Sequence, residues 1–163
     1  MKIDRRILFA AVPALALAAA GASYARPAQD PPPYRVSLKA MLFYSTRGTF
    51  SGDIIARPVE LWNTPIGEGR AGGASSQVLV VADVRGEAGS YVPERKVQLT
   101  VTENGRQTFQ RAEETSVLNT SGHTYVAFWL YGTGCRRLRL SARIQGQTPS
   151  TPVTATIPFA CGE

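Results

Sequence analysis

Histidine is almost absent from this 163-residue chain, and with His123 alone beside two cysteines, the side chains that bind transition metals or shuttle protons near neutral pH are scarce. One imidazole and two thiols fall short of the four ligands of a structural zinc site, so neither a metal centre nor a cofactor is predicted. Any hydrolytic triad would have to be built on His123, and no G-x-S-x-G elbow accompanies it. Charge is thin as well. The 18 Lys and Arg against 12 Asp and Glu leave a net charge of +6, far from the dense basic footprint of a nucleic-acid binder. No cysteine precedes Cys135, which excludes a lipid-modified cysteine near the start of the chain.

What the chain does contain begins with an export signal. Lys2, Arg5 and Arg6 form a charged leader, and Ile7 to Ala20 then reads ILFAAVPALALAAA without a charge. This run is too short, too rich in alanine and too interrupted by Pro13 to span a bilayer, which takes ~20 apolar residues. Ser23-Tyr24-Ala25 offers a cleavage site that would start the mature chain at Arg26, and a cut after Ala22 serves nearly as well. The general secretory route is favoured over the twin-arginine route, because Asp4 and Ile7-Leu8 fit badly around Arg5-Arg6. A periplasmic or secreted location follows, with no transmembrane anchor after cleavage. Residues 26–33, RPAQDPPP, read as a proline-rich spacer, and residues 34–163 as one domain.

Strand signals dominate that domain. Val97, Leu99 and Val101 alternate with polar neighbours; so do Leu138, Leu140, Ala142 and Ile144, and so do Val153, Ala155, Ile157 and Phe159. Further strands are predicted over 34–44, 54–62, 77–85, 106–112 and 124–131, making eight in all, with Pro58 pushing the second of these toward a sheet edge. Asn104-Gly105 is a strong hairpin signal joining 96–103 to 106–112. The fold class predicted is all-β, a sandwich of about seven or eight antiparallel strands. In architecture it resembles immunoglobulin-like or fibronectin-like domains. The segment Gly122 to Val126 is similar to a tyrosine-corner region, whereas the two late cysteines depart from the antibody pattern.

An oxidising compartment makes a Cys135–Cys161 disulfide the default for the two cysteines. The loop it closes would stabilise the fold by roughly 3 kcal/mol on loop-closure entropy. The inward residues of the last two strands are even-numbered in one and odd-numbered in the other, so a regular ladder would aim the two sulfurs at opposite faces. The bridge then requires a bulge at Arg136-Arg137 or an irregular strand end after Gly134.

Other motifs read more weakly. Gly67 to Gly72 spells GxGxxG, but it leads into the strand-like Gln77 to Val81 and not into a helix, so a phosphate-binding turn is set aside. The same long loop, with Trp62, Asn63, Ile66 and Arg70, is a candidate recognition tip. Arg137, Arg139 and Arg143 form an alternating row suited to anionic lipid, lipopolysaccharide or acidic glycan, although a solvated sheet face is the better reading of them. Tyr125, Phe128, Trp129 and Tyr131 make 124–131 the most aromatic segment, and apolar residues at both parities predict a central strand covered on both sides.

The functional expectation is a non-catalytic exported module that binds a protein or another envelope component. The alternatives are a carbohydrate-binding module and a small hydrolase. Solvent-facing aromatics clustered on one face would favour sugar, and a cleft joining His123 to a carboxylate and a hydroxyl would favour the enzyme.

Overall fold

The computed structural model of the chain describes residues 31–57, 61–62, 75, 77–133 and 136–160. Among them there is no helix. In chain order the strands are β1 (Arg35–Tyr44), β2 (Thr49–Phe50), β3 (Leu61–Trp62), β4 (Gln77–Arg85), β5 (Lys96–Glu103), β6 (Arg106–Glu114), β7 (His123–Tyr131), β8 (Leu138–Gln145), β9 (Val153–Ile157) and β10 (Phe159–Ala160). They build one four-stranded sheet in the order β2-β1-β4-β7 and another in the order β6-β5-β8-β9. Within both sheets every pairing is antiparallel, while β10 and β3 form a short parallel pair.

The alternation in the sequence decides which side of each sheet is buried. Leu38, Ala40 and Leu42 of β1, Val78 to Val84 at even positions of β4, and Val126, Phe128 and Leu130 of β7 point inward. They meet Val97, Leu99 and Val101 of β5 and Leu138, Leu140, Ala142 and Ile144 of β8 in one core cluster, so the two sheets form a β-sandwich. Each of the Val, Leu, Ile and Phe side chains contributes about 1.5–3 kcal/mol on full burial. A one-residue slip of any strand would turn its whole apolar set to water.

Asn104 and Gly105 have φ of 50° and 77°, the left-handed pair that a two-residue hairpin between β5 and β6 requires. The β5–β6 register shifts at Val101/Thr102, leaving Thr108 as the extra residue of a bulge. The predicted strand 54–62 is not continuous. Asp53 Oδ1 accepts from the backbone N–H groups of Ala40 and Ile55 at 3.1 and 3.0 Å, and Ile54 N–H donates to the Ala40 carbonyl at 2.8 Å. These bonds fold the chain into a turn against β1 over residues 54–57, and Leu61–Trp62 is a strand. Pro158 separates β9 from β10. At the start of the domain the buried Arg95 guanidinium lies 4.2 Å over the Tyr34 ring and donates to the Pro31 and Pro32 carbonyls at 3.0 and 2.9 Å.

The β8–β9 ladder pairs Leu138 with Ile157 and Leu140 with Ala155, even with odd as the inward sets require. Cys135, Cys161, Gly134 and the predicted cleavage region lie outside the described residues, as do Asn63, Ile66, Arg70 and the GxGxxG segment. The strand at 124–131 departs from expectation. Among the described residues it is the last strand of its sheet, not a central one, and its odd-numbered residues lie on the outer face, where Tyr125 and Tyr131 are exposed.

Candidate binding face

The outer surface of the β2-β1-β4-β7 sheet is built from the odd positions of three long strands. Register places them in rows across the sheet: Met41, Leu79 and Trp129; Lys39, Val81 and Ala127; Ser37, Asp83 and Tyr125; Arg35, Arg85 and His123. Two turns complete the ends. Arg47 and Gly48 N–H groups both donate to the Tyr44 carbonyl, at 3.0 and 2.8 Å, which returns the chain so that Phe50 lies opposite Phe43. Asn119 Oδ1 accepts from the Ser121 and His123 N–H groups at 2.9 and 3.0 Å, fixing the entry into β7.

One end of this face is aromatic. Phe43 and Phe50 are 5.1 Å apart, Trp129 lies 5.8 Å from Phe43 and 5.9 Å from Phe50, and Tyr131 is 6.1 Å from Trp129 with its ring tilted by only 18°. Phe50, Tyr125 and Tyr131 are 44%, 58% and 70% exposed. Tyr125, so exposed, is not the buried anchor of a tyrosine corner.

The other end is polar. Asp83 is only 2% exposed although its position faces outward, because Arg85 and His123 cover it. His123 Nδ1 lies 2.8 Å from Asp83 Oδ1, and Arg85 donates to Oδ2 from Nε at 3.2 Å and Nη2 at 2.9 Å. Burial pushes the Asp83 carboxyl up, but the hydrogen bonds and positive charges of Arg85 and His123 outweigh it, and its pKa falls below the ordinary carboxylate value. In a hydrolytic relay the imidazole stands between carboxylate and hydroxyl. Here Asp83 on β4 has Ser37 across from it on β1 and His123 on the other side on β7, so that the carboxylate occupies the middle.

The second sheet presents an ordinary wet face: Lys96, Gln98, Thr100 and Thr102 beside Arg139, Ser141, Arg143 and Gln145. Arg143 Nε donates to Gln98 Oε1 at 2.8 Å. Arg139 and Arg143 are exposed and four residues apart on β8, a separation of ~13 Å. Arg137 is exposed too but precedes the strand, so the three arginines do not form a continuous row. Trp62 is placed on β3 by its backbone. Of the candidate surface read from the sequence, Arg139 and Arg143 therefore lie on the sheet opposite the aromatic face. Asp83, Phe43 and Phe50 were missed because only strand register shows that they share a face with Trp129 and His123.

Comparison with family models, curated proteins and solved structures finds no match to the chain.

Proposed function

We propose that the chain is a non-catalytic, exported binding module that holds an extended acidic glycan across the outer face of the β2-β1-β4-β7 sheet. The observation that carries this reading is the contrast between the two outer faces of one sandwich. An antiparallel sheet with a solvated side is normally polar there, as the β6-β5-β8-β9 sheet is. Its counterpart instead exposes Phe50 and Tyr131 around the half-buried Trp129 and Phe43, with Tyr125 exposed further along the face beside His123. Contiguous exposed apolar surface of this kind marks a binding site in soluble proteins.

The rings supply flat apolar area for the CH faces of sugars. Arg35 and Lys39 add positive charge further along the same face, and the one carboxylate among them, Asp83, is paired with Arg85. Ser37 and Tyr125 add hydroxyl groups for a sugar's own. From Tyr131 to His123 the face runs ~26 Å along β7, room for an extended chain of several sugar units. The long strands fit the fibronectin-like variant of the sandwich. Counted from β1 without the two-residue elements, the fourth long strand, β6, pairs with β5, whereas in the immunoglobulin constant type the fourth strand joins the opposite sheet.

The test is a titration of the purified chain with soluble acidic and neutral polysaccharides, followed by tryptophan fluorescence and calorimetry. Acidic chains should bind more tightly and lose affinity with added salt. Trp129→Ala and Tyr131→Ala should each weaken binding about tenfold or more, equivalent to ~1.4 kcal/mol, while Arg139→Ala on the opposite sheet should leave it unchanged. Equal binding by wild type and Trp129→Ala would sink the proposal.

A further inference from the structure

The four lateral edges of this sandwich are protected unequally. Along β1 the far side is occupied by residues 49–54: Ser51 Oγ accepts from Leu42 N–H at 2.9 Å, Ser51 N–H donates to the Leu42 carbonyl, and Asp53 and Ile54 do the same work at Ala40. On the second sheet β6 carries Arg106, Arg111, Glu113 and Glu114 and is broken by the bulge at Thr108, both devices that discourage pairing with another chain. The opposite edge, β9, is five residues long between Pro152 and Pro158. The fourth edge is covered only at its start, where Asn119 N–H donates to the His123 carbonyl and Asn119 Oδ1 accepts from His123 N–H. β7 runs for nine residues, His123–Tyr131, without a lysine, arginine, carboxylate, proline or register shift, and among the described residues no strand pairs with its outer side.

We propose that two copies of the chain pair antiparallel along β7, joining their β2-β1-β4-β7 sheets into one eight-stranded sheet. The strand is suited to a copy of itself. A two-fold axis at Ala127 sets each Tyr125 opposite the partner's Trp129 on the outer face, and the paired segment ends short of His123, whose backbone groups are held by Asn119. The smallest outward side chain of the strand sits on the axis, where the two copies meet. Aromatic cross-strand pairs are among those that stabilise antiparallel sheets, and the ladder would satisfy the outward backbone groups of Tyr125, Ala127 and Trp129 in both copies. The aromatic face remains solvent-facing in this arrangement and becomes continuous through the Trp129–Tyr125 pairs. The pairing does not depend on which ligand that face binds.

Three measurements decide it, all on the purified chain. Light scattering after size exclusion should give twice the chain mass for wild type and the single mass for Ala127→Lys, with the circular-dichroism melt of the variant still cooperative. Residues related by such an axis have Cα atoms about 4.5–5.5 Å apart, within disulfide range. Ala127→Cys should therefore cross-link two chains under mild oxidation, at least tenfold more than Lys39→Cys on the exposed face of β1. A wild type that stays monomeric at all concentrations overturns the proposal, as does a dimer indifferent to Ala127→Lys or an Ala127→Cys that cross-links no better than Lys39→Cys. The cysteine variant keeps the question decidable should Ala127→Lys fail to fold.

Discussion

Gly122→Ala is expected to cost far more stability than its size implies, and Gly105→Ala provides the measure of the excess. Gly122 closes the turn before β7, with its N–H donating to the Asn119 carbonyl at 2.9 Å and its carbonyl accepting from Gly86 N–H at 3.0 Å. Its φ of 76° is left-handed, which an L-residue adopts at about 1–2 kcal/mol. A Cβ at this position would in addition overlap the Gly86 carbonyl oxygen, with Gly86 C at 3.6 Å and Ala88 N at 3.7 Å behind it. The obstruction is backbone, so no side chain can swing aside. Relief requires drawing the turn away from Gly86, which strains packing by about 1–3 kcal/mol and weakens a hydrogen bond of about 1 kcal/mol.

Gly105, in the β5–β6 hairpin, has the same conformation with φ 77° but nothing within 4 Å of the added Cβ. Only the backbone term of about 1–2 kcal/mol applies there. Gly122→Ala should thus lose about 3–6 kcal/mol, a large share of the 5–15 kcal/mol typical of a domain. Urea unfolding followed by tryptophan fluorescence measures both variants, and the difference between them should be about 2 kcal/mol or more with unchanged m-values. Equal losses would refute the reasoning, because they would mean that the turn accommodates a methyl group freely.

Two further outcomes follow from the polar end of the face and from the cysteines. The depressed pKa of Asp83 makes its ionised form a stabilising one. That contribution is complete above the unfolded carboxylate value of ~3.9 and is lost as the pH falls through the lower folded value. An acid titration of stability should therefore show a steeper decline in wild type than in Asp83→Asn, which itself should be less stable at pH 7 by about 2 kcal/mol, toward the low end because Arg85 is exposed. The intact mass of protein recovered from the exported fraction should correspond to a chain beginning between Ser23 and Arg26 with both thiols oxidised. Two free thiols in that fraction would remove the disulfide from the account.

Much of the sandwich is legible in the sequence because one physical signal, period-two alternation, is strong in β5, β8 and β9, and Asn104-Gly105 supplies the turn between β5 and β6. The failure at 54–62 has an equally specific cause. Ile54, Ile55 and Val59 look like strand residues, but Asp53 offers a side-chain acceptor to two backbone N–H groups, and that local bond outcompetes extension. Thr49–Phe50 escaped notice because a two-residue strand has no period to read. The Asp83 cluster was hidden for another reason. A single carboxylate in QVLVVADVR looks like an isolated polar exception, and it becomes part of a site only when Asp83 pairs with Tyr125 and Arg85 with His123.

The segment HTYVAFWLY shows most clearly what pattern alone leaves open. Apolar residues at both parities fit a central strand covered on both sides, and they fit equally an edge strand whose outer face is meant to touch something. The sequence cannot separate the two, since the difference lies in whether another strand or sheet lies against it. Once β7 is known to be an edge, its composition becomes a constraint between functions. A lysine at 125, 127 or 129 would shield the edge from pairing with other chains, but it would also place a charge in the middle of the aromatic face. Keeping Tyr125, Ala127 and Trp129 leaves the face intact and the edge open. Pairing of β7 with its own copy reconciles the two demands, because it consumes the open backbone while leaving every odd-numbered side chain pointing to solvent.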